Sequence, residues 1–139
     1  MREGWSNDNY WSLSEDQAES ERLTDIYGLA DYLPDYIIVG LKGWDDFILC
    51  DHASQYFLVP TVPLVRTYIE PFRFPAEPMR LELDERFTNK IKWYVQPIVF
   101  GGDPTDESNM LWVSQEWHAQ VVKGWNKRYL ENLAKQSKA

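Results

Sequence analysis

The tripeptide Cys50-Asp51-His52 places a thiol, a carboxylate and an imidazole side by side. A nucleophilic cysteine needs a base within about 3 Å and usually a third group that orients the base. Residues two apart on a strand share a face, so Cys50 and His52 could meet there. The thiol follows the apolar run Phe47-Ile48-Leu49, where a buried, unreactive cysteine is common. We therefore interpret the tripeptide as the end of a core strand followed by a turn.

The two histidines, His52 and His118, are too far apart in sequence to form a compact metal motif. Asp51, Asp103 and Asp106 could complete a metal site only if the fold brings them together. We predict no metal and no cofactor. The alternative is a small metal-dependent hydrolase in which Asp51, His52 and Asp103 converge on one pocket.

The segment Gly101-Gly102-Asp103-Pro104 has two interpretations. Glycine-rich loops can cradle a phosphate through backbone N–H groups, generally at the start of a helix. Here Asp103, Asp106 and Glu107 would repel a phosphate, and Pro104 lacks an N–H. We favour a sharp hairpin loop in which glycines supply positive φ angles and Asn109 or Asp103 bonds the backbone.

The turn Gly43-Trp44-Asp45-Asp46 carries an aromatic residue and two acids. Adjacent residues on a strand point to opposite faces, so Asp45 and Asp46 do not naturally converge on one bond as a hydrolytic pair would. We predict that Trp44, Asp45, Asp46 and Asp51 contact a protein partner, with Trp44 as the anchor and the acids as its rim. The alternative is a solvated turn around a packed tryptophan.

The charge of the 139-residue chain is uneven. Residues 1–70 carry 13 acidic and 4 basic side chains, whereas residues 71–139 carry 9 acidic and 10 basic ones. A negative half repels nucleic-acid phosphates and accelerates encounter with a basic partner. We therefore expect no nucleic-acid binding by that half, although solubility alone would also explain its charge.

Length and composition predict a single globular domain over residues 1–139. No run of about 18 apolar residues is present, so we expect no membrane-spanning helix. The stretch Met1 to Asn9 lacks the apolar core of a secretory signal. One cysteine excludes an intrachain disulfide, and together these features favour the cytoplasm.

The predicted fold is α+β, with a mostly antiparallel sheet of about 5–6 short strands and two helices packed on it. Ser14 is predicted to cap a first helix over Glu15–Tyr27 that Gly28 ends, and Ser114 to cap a second over Gln115–Ala134. In the second helix Trp117, Val121, Trp125 and Tyr129 form the predicted inward stripe. No period is evident in residues 1–13. The predicted strands are Tyr36–Val39, Phe47–Cys50, Tyr56–Val59, Arg80–Leu83, Trp93–Phe100 and Met110–Val113.

Residues 4–64 contain glycines, prolines and aromatic residues in a characteristic order. It comprises Gly4 with Tyr10-Trp11, the run Tyr32 to Gly40, Gly43, Asp46 to Asp51, Tyr56, Val59-Pro60 and Val62-Pro63-Leu64. In these residues the chain resembles the SUKH superfamily, the bacterial relatives of yeast cell-wall-assembly regulators. The resemblance implies a helix, a Leu-Pro turn into a strand that ends in glycine, a glycine-bearing turn and another strand.

Family members usually have further helices before the position of Gly4 and more glycine where this chain has Trp44-Asp45. This departure indicates either a shortened family domain or a chain whose true start lies upstream. The resemblance implies a non-enzymatic immunity protein that binds and neutralises a toxin, often a nuclease. A regulatory or scaffold protein of the cell's own physiology is the further alternative.

Overall fold

The computed structural model describes residues 1–6, 8–43, 45–74 and 80–137. The described residues form two α-helices and eight β-strands, with short 3₁₀ turns between them. The helices are α1 (Gln17–Ile26) and α2 (Gln115–Ser137). The strands are β1 (Arg2–Ser6), β2 (Asn9–Leu13), β3 (Ile37–Lys42), β4 (Asp46–Cys50), β5 (Tyr56–Pro60), β6 (Glu70–Pro71), β7 (Lys90–Tyr94) and β8 (Met110–Ser114).

The first six strands form one antiparallel sheet in chain order, and α1 is inserted between β2 and β3. The last two strands form a separate two-stranded ribbon that leads directly into α2. The predicted α+β class is therefore confirmed, as is the meander of the three central strands. No helix in the described part of the chain has the length and apolar character needed to cross a membrane.

The start of α1 differs from the prediction. Asp16, not Ser14, is the N-cap, and its carboxylate accepts a bond of 2.8 Å from the backbone N–H of Glu19. Ser14 is instead attached to the sheet, because its backbone N–H donates to the carbonyl of Val39 in β3. The end of the helix is as predicted, since Gly28 follows it with a left-handed φ of 65°.

Two strands, β1 and β2, were missed, and β2 was missed because it buries side chains on both faces. Tyr10 and Trp11 point to opposite sides of β2, yet they are only 4% and 1% exposed. A strand buried on both faces shows no alternation of polar and apolar residues, which is the signal that predicts a half-exposed strand.

Two other predicted strands are corrected. Within Arg80–Leu83 only a bridge at Glu82 is present, where this residue exchanges two backbone bonds with Trp5 at the edge of β1. The predicted strand Trp93–Phe100 ends at Tyr94 as β7, and Ile98–Phe100 is a 3₁₀ turn. Pro97 precedes this turn, and it cannot donate to a strand ladder.

The large sheet is covered on both faces. One face packs against α1, α2 and the ribbon in the main core, which includes Leu23, Phe47 and Val122. The opposite face centres on Trp11 and Ile48, and residues of the connection after β6 pack against it. These residues are Phe72, Phe74 and Leu81.

The inward side of α2 is rotated from the predicted stripe. His118, Ala119, Val122 and Asn126 are buried, whereas Trp117 is 44% exposed. Val121 and Trp125 pack only partly against the core. The cap prediction holds, because the hydroxyl of Ser114 accepts a bond from the N–H of Trp117.

Asn126 ties α2 to the segment that follows β5. Its side-chain oxygen accepts a 2.8 Å bond from the N–H of Leu64, and its amide nitrogen donates to the carbonyls of Thr61 and Val122. All of these partners are buried. Buried backbone polar groups away from regular structure are costly unless they are paired, so this side chain fixes the path of residues 61–64.

We expect Asn126→Ala to lower the free energy of unfolding by about 2–4 kcal/mol, because it leaves the Thr61 carbonyl and the Leu64 N–H unpaired. Chemical denaturation measures the change. The matched control is Asn132→Ala at an exposed position of the same helix, where we expect a change within about 0.5 kcal/mol. Equal effects of the two substitutions would contradict this role for Asn126.

Candidate functional site

The β3–β4 turn holds most of the predicted contact residues, although Trp44 lies outside the described residues. Gly43 has a left-handed φ of 64°, and a Cβ there would lie 2.9 Å from the side chain of Asn9. Asp45 bonds Thr61 twice: its carbonyl accepts the Thr61 N–H at 2.6 Å, and its carboxylate accepts the Thr61 hydroxyl at 3.1 Å. The turn is therefore fastened to the end of β5.

The two acids of this turn are half-buried. The pKa of Asp45 is raised to about 7, chiefly by burial; the bond from Thr61 opposes the rise, and the neighbouring Asp46 adds to it. Burial also raises the pKa of Asp46, with Lys42 opposing the rise and Glu70 adding to it. A carboxyl with a pKa near neutrality can exchange a proton at physiological pH, which an ordinary surface aspartate does not do.

Asp51 lies at the other end of β4. It is five positions along the chain from Asp46, which corresponds to about 16 Å in a strand. Its carboxylate accepts the N–H groups of Ala53 and Gln55 and so shapes the β4–β5 turn. Asp45 and Asp46 therefore lie together, and Asp51 lies apart from them; whether any of them contacts a partner stays a prediction.

Cys50 and His52, the residues considered for catalysis, differ in burial. The Cys50 thiol donates weakly to the carbonyl of Asp51, and burial raises its pKa, which disfavours the thiolate that a nucleophile requires. His52 lies exposed on the turn. Across residues 1–6, 8–43, 45–74 and 80–137, no three His, Cys, Asp or Glu side chains are grouped to hold a metal ion.

The other histidine is fully buried. His118 Nδ1 lies 2.6 Å from the hydroxyl of Tyr27, and the imidazole contacts the edge of Trp93. Burial lowers the pKa of His118 to about 3, so the ring is neutral. Nε2 has no bonding partner within the described residues. A substrate cannot reach this buried imidazole. The contact between Tyr27 and His118 joins the end of α1 to α2 in the core.

An aromatic cluster joins the ribbon to the first hairpin. The stacked rings of Phe87 and Trp112 meet Trp5 and Tyr10 edge-on. The amine of Lys92 lies 4.8 Å from the Trp5 ring centre. Burial lowers the pKa of this lysine to about 8. The residue is only 6% exposed, so the cluster encloses the amine and does not present it to solvent.

The loop from Gly101 to Asp106 is built as the hairpin interpretation predicts. Asp103 and Asp106 each accept bonds from the second residue after them, and Asn109 bonds the backbone of Gln96 in both directions. Gly101 has a φ of 90°. Gly102 is needed for another reason, since a Cβ there would lie 1.8 Å from the carbonyl oxygen of Gln96. The carboxylates of Asp103 and Asp106 therefore stabilise the loop itself.

A depression at the end of α1 was not predicted. It has a volume of about 330 Å³ and opens between α1, the 3₁₀ turn Leu29–Asp31 and the start of β3. Three exposed acids line it, namely Glu21, Asp25 and Asp31. Ala30 and Ile37 also line the depression, and the side chain of Lys123 lies close to Gly28 at its edge.

This depression combines three exposed acids with the apolar side chains of Ala30 and Ile37. Arg22 is the basic residue of α1, and it points away to bond the side chain of Gln115 on α2. Glu21 and Asp25 are one turn apart, a spacing that sequence alone shows to share a helix face. The contribution of Asp31 depends on the 3₁₀ turn and was not visible in the sequence.

The chain matches no protein-family model, no curated protein and no solved structure.

We expect Gly102→Ala to destabilise the protein by about 3 kcal/mol or more, because the new methyl group collides with the Gln96 backbone. The matched control is Gly124→Ala on α2, where a Cβ meets nothing within 4 Å. That substitution should stabilise the helix by about 0.5–1 kcal/mol. Thermal unfolding of both variants measures the contrast, and a neutral Gly102→Ala variant would show that this backbone contact is dispensable.

Proposed function

We propose that this chain is a non-enzymatic binding protein of the SUKH type, which neutralises a basic toxin domain by covering its surface. The observation that carries the proposal is the acidic depression formed by Glu21, Asp25 and Asp31. Immunity proteins work by occlusion, which needs a complementary surface and no reactive group. An exposed concave surface with excess negative charge suits the lysine and arginine side chains of a nuclease.

The exposed acids near the start of α1 also support the proposal. Two further exposed acids, Glu15 and Asp16, precede α1, where the N-terminal ammonium lies 3.7 Å from Glu15 and Asp16 caps the helix. Like charges on one side of a domain raise the local potential and increase the rate at which an oppositely charged protein arrives. Such steering affects the association rate more than the final affinity.

The residues that carry the family resemblance support the fold. A Cβ at Gly40 would lie 2.6 Å from the carbonyl oxygen of Ser12, and a Cβ at Gly4 would lie 2.7 Å from the backbone of Glu82. These glycines allow neighbouring strands to approach closely. They therefore specify the sheet, while the identity of the partner depends on the exposed side chains.

The proposal predicts that a toxin domain is encoded next to this gene, and binding kinetics with that purified domain test it. We expect direct binding and loss of the toxin's activity. The double variant Glu21→Lys/Asp25→Lys should associate at least about tenfold more slowly at low ionic strength, and added salt should shrink the difference. A neighbouring toxin that neither binds nor is inhibited would contradict the proposal.

The matched control changes the same net charge elsewhere, with Glu107→Lys/Glu131→Lys at exposed positions of the C-terminal half. This control should bind at close to the wild-type rate. An equal loss in both double variants would mean that total charge, and not the depression, determines binding.

Charge reversal at Asp45 and Asp46 tests the turn that the sequence singled out. If this turn contacts the partner, the variant Asp45→Lys/Asp46→Lys should also associate more slowly. Circular dichroism must first show that it is folded, because Asp45 is bonded to Thr61. An unchanged association rate in the folded variant would remove the turn from the interface.

A further inference from the structure

We propose that residues 127–135, the outer segment of α2, form a self-association surface on which a second copy of this chain packs its own outer segment in antiparallel orientation. This inference goes beyond the proposed function, because it concerns the C-terminal half of the chain and needs no toxin.

The first support is that the inward side of α2 continues past the core. Residues three and four apart share one side of a helix, so the stripe that contains Val122 and Asn126 continues in Leu130 and Leu133. Val122 and Asn126 are buried, whereas Leu130 is 44% exposed and Leu133 is 39% exposed. The other residues of the outer segment are exposed apart from the partly buried Tyr129. The apolar side thus extends about two turns beyond the core.

The second support is that this apolar surface continues onto a neighbouring element. The ring of Phe100, in the 3₁₀ turn Ile98–Phe100, lies 4.7 Å from the ring of Trp125 and 6.4 Å from that of Tyr129, measured between centroids. The preceding residues Ile98 and Val99 are both exposed. Large apolar side chains are therefore exposed together where the outer segment begins, which is a feature of interaction surfaces.

The third support is charge, which favours a second copy as the occupant. The outer segment carries Lys127, Arg128 and Lys135 against one acid, Glu131. The loop that follows the 3₁₀ turn, residues 101–107, has the opposite sign. Its exposed acids are Asp103, Asp106 and Glu107. Each copy therefore presents a basic helix segment and an acidic loop that adjoin the same apolar surface, so two copies are complementary to each other.

Two-fold symmetry brings these features together. The outer segment is about 14 Å long, at about 1.5 Å per residue. With the axis between Leu130 and Leu133, Leu130 of one copy lies opposite Leu133 of the other. The far end of each outer segment then lies beside Ile98, Val99 and the acidic loop of the other copy. A contact of this kind uses the same patch on both copies and closes as a dimer.

Sedimentation equilibrium of the full chain from about 1 µM to 1 mM tests the proposal, and we expect a monomer–dimer equilibrium in this range. Leu130→Glu should weaken dimerisation at least about tenfold, because it places two carboxylates beside the symmetry axis in an apolar contact. The matched control is Gln120→Glu, which adds the same charge at an exposed position on the opposite side of α2. This control should dimerise like the wild type.

Exchange of charges tests the contact with the acidic loop. Lys135→Glu should weaken dimerisation several-fold, because it turns an attraction across the interface into a repulsion. The double variant Lys135→Glu/Glu107→Lys should restore dimerisation, since opposite charges again face each other between the copies. Circular dichroism checks that each variant is folded. If Leu130→Glu does not fold, the charge exchange decides the question.

A chain that stays monomeric throughout this range would overturn the proposal, as would a folded Leu130→Glu variant that dimerises like Gln120→Glu. Failure of the second charge reversal to restore dimerisation would overturn the antiparallel arrangement. Loss of dimerisation in Glu21→Lys/Asp25→Lys would place the basic helix segment in the acidic depression instead, and so would also contradict it. These measurements contain no toxin, so their outcome is independent of the proposed function.

Discussion

The central constraint of this fold is that its large sheet is apolar on both faces and must be covered twice. Phe47 and Ile48 are neighbours on β4, point in opposite directions and are both buried. The chain before β6 supplies only α1 as a cover. The remaining sequence therefore provides the ribbon and α2 on one side and the aromatic connection after β6 on the other. Phe72 and Phe74 after β6 thus help to cover the sheet, and the C-terminal half is needed to complete the core.

This demand explains why the covers are joined by specific polar bonds. Apolar packing has no direction, and it would allow α2 to slide or rotate on the sheet. Asn126 removes this freedom by bonding two backbone groups of the segment after β5, and the Tyr27–His118 contact fixes α2 against α1. Buried polar groups that are paired add specificity to a core that apolar area alone leaves undetermined. The position of Thr61, and with it the β3–β4 turn, depends on these bonds.

The sequence predicted the elements that have a clear period or cap and missed those set by tertiary contacts. The central strands, the Gly28 stop and the Ser114 cap follow from local patterns. In contrast, β2 is buried on both faces, so alternation is absent there, and β1 is recognised only through its pairing with β2. The cap of α1 moved to Asp16 because Ser14 is held by β3. The half-buried state of Asp45 depends on Thr61, which lies 16 positions away. The same holds for the acidic depression, which needs the 3₁₀ turn to bring Asp31 beside α1.

The net charge of −8 conceals three kinds of acid with different physical roles. Some accept backbone N–H groups at caps and turns, and their charge is committed to local structure; these are Asp16, Asp51, Asp103 and Asp106. Asp45 and Asp46 are half-buried, so their ionisation competes with desolvation. Glu21, Asp25 and Asp31 are exposed around one depression. The third kind is exposed and hydrated, so its field extends into solvent at little structural cost, as does the field of other exposed acids such as Glu15. Under the proposed function, substitutions in the depression would alter binding and substitutions at the caps would alter folding, so the two roles of the acids in the N-terminal half are separable.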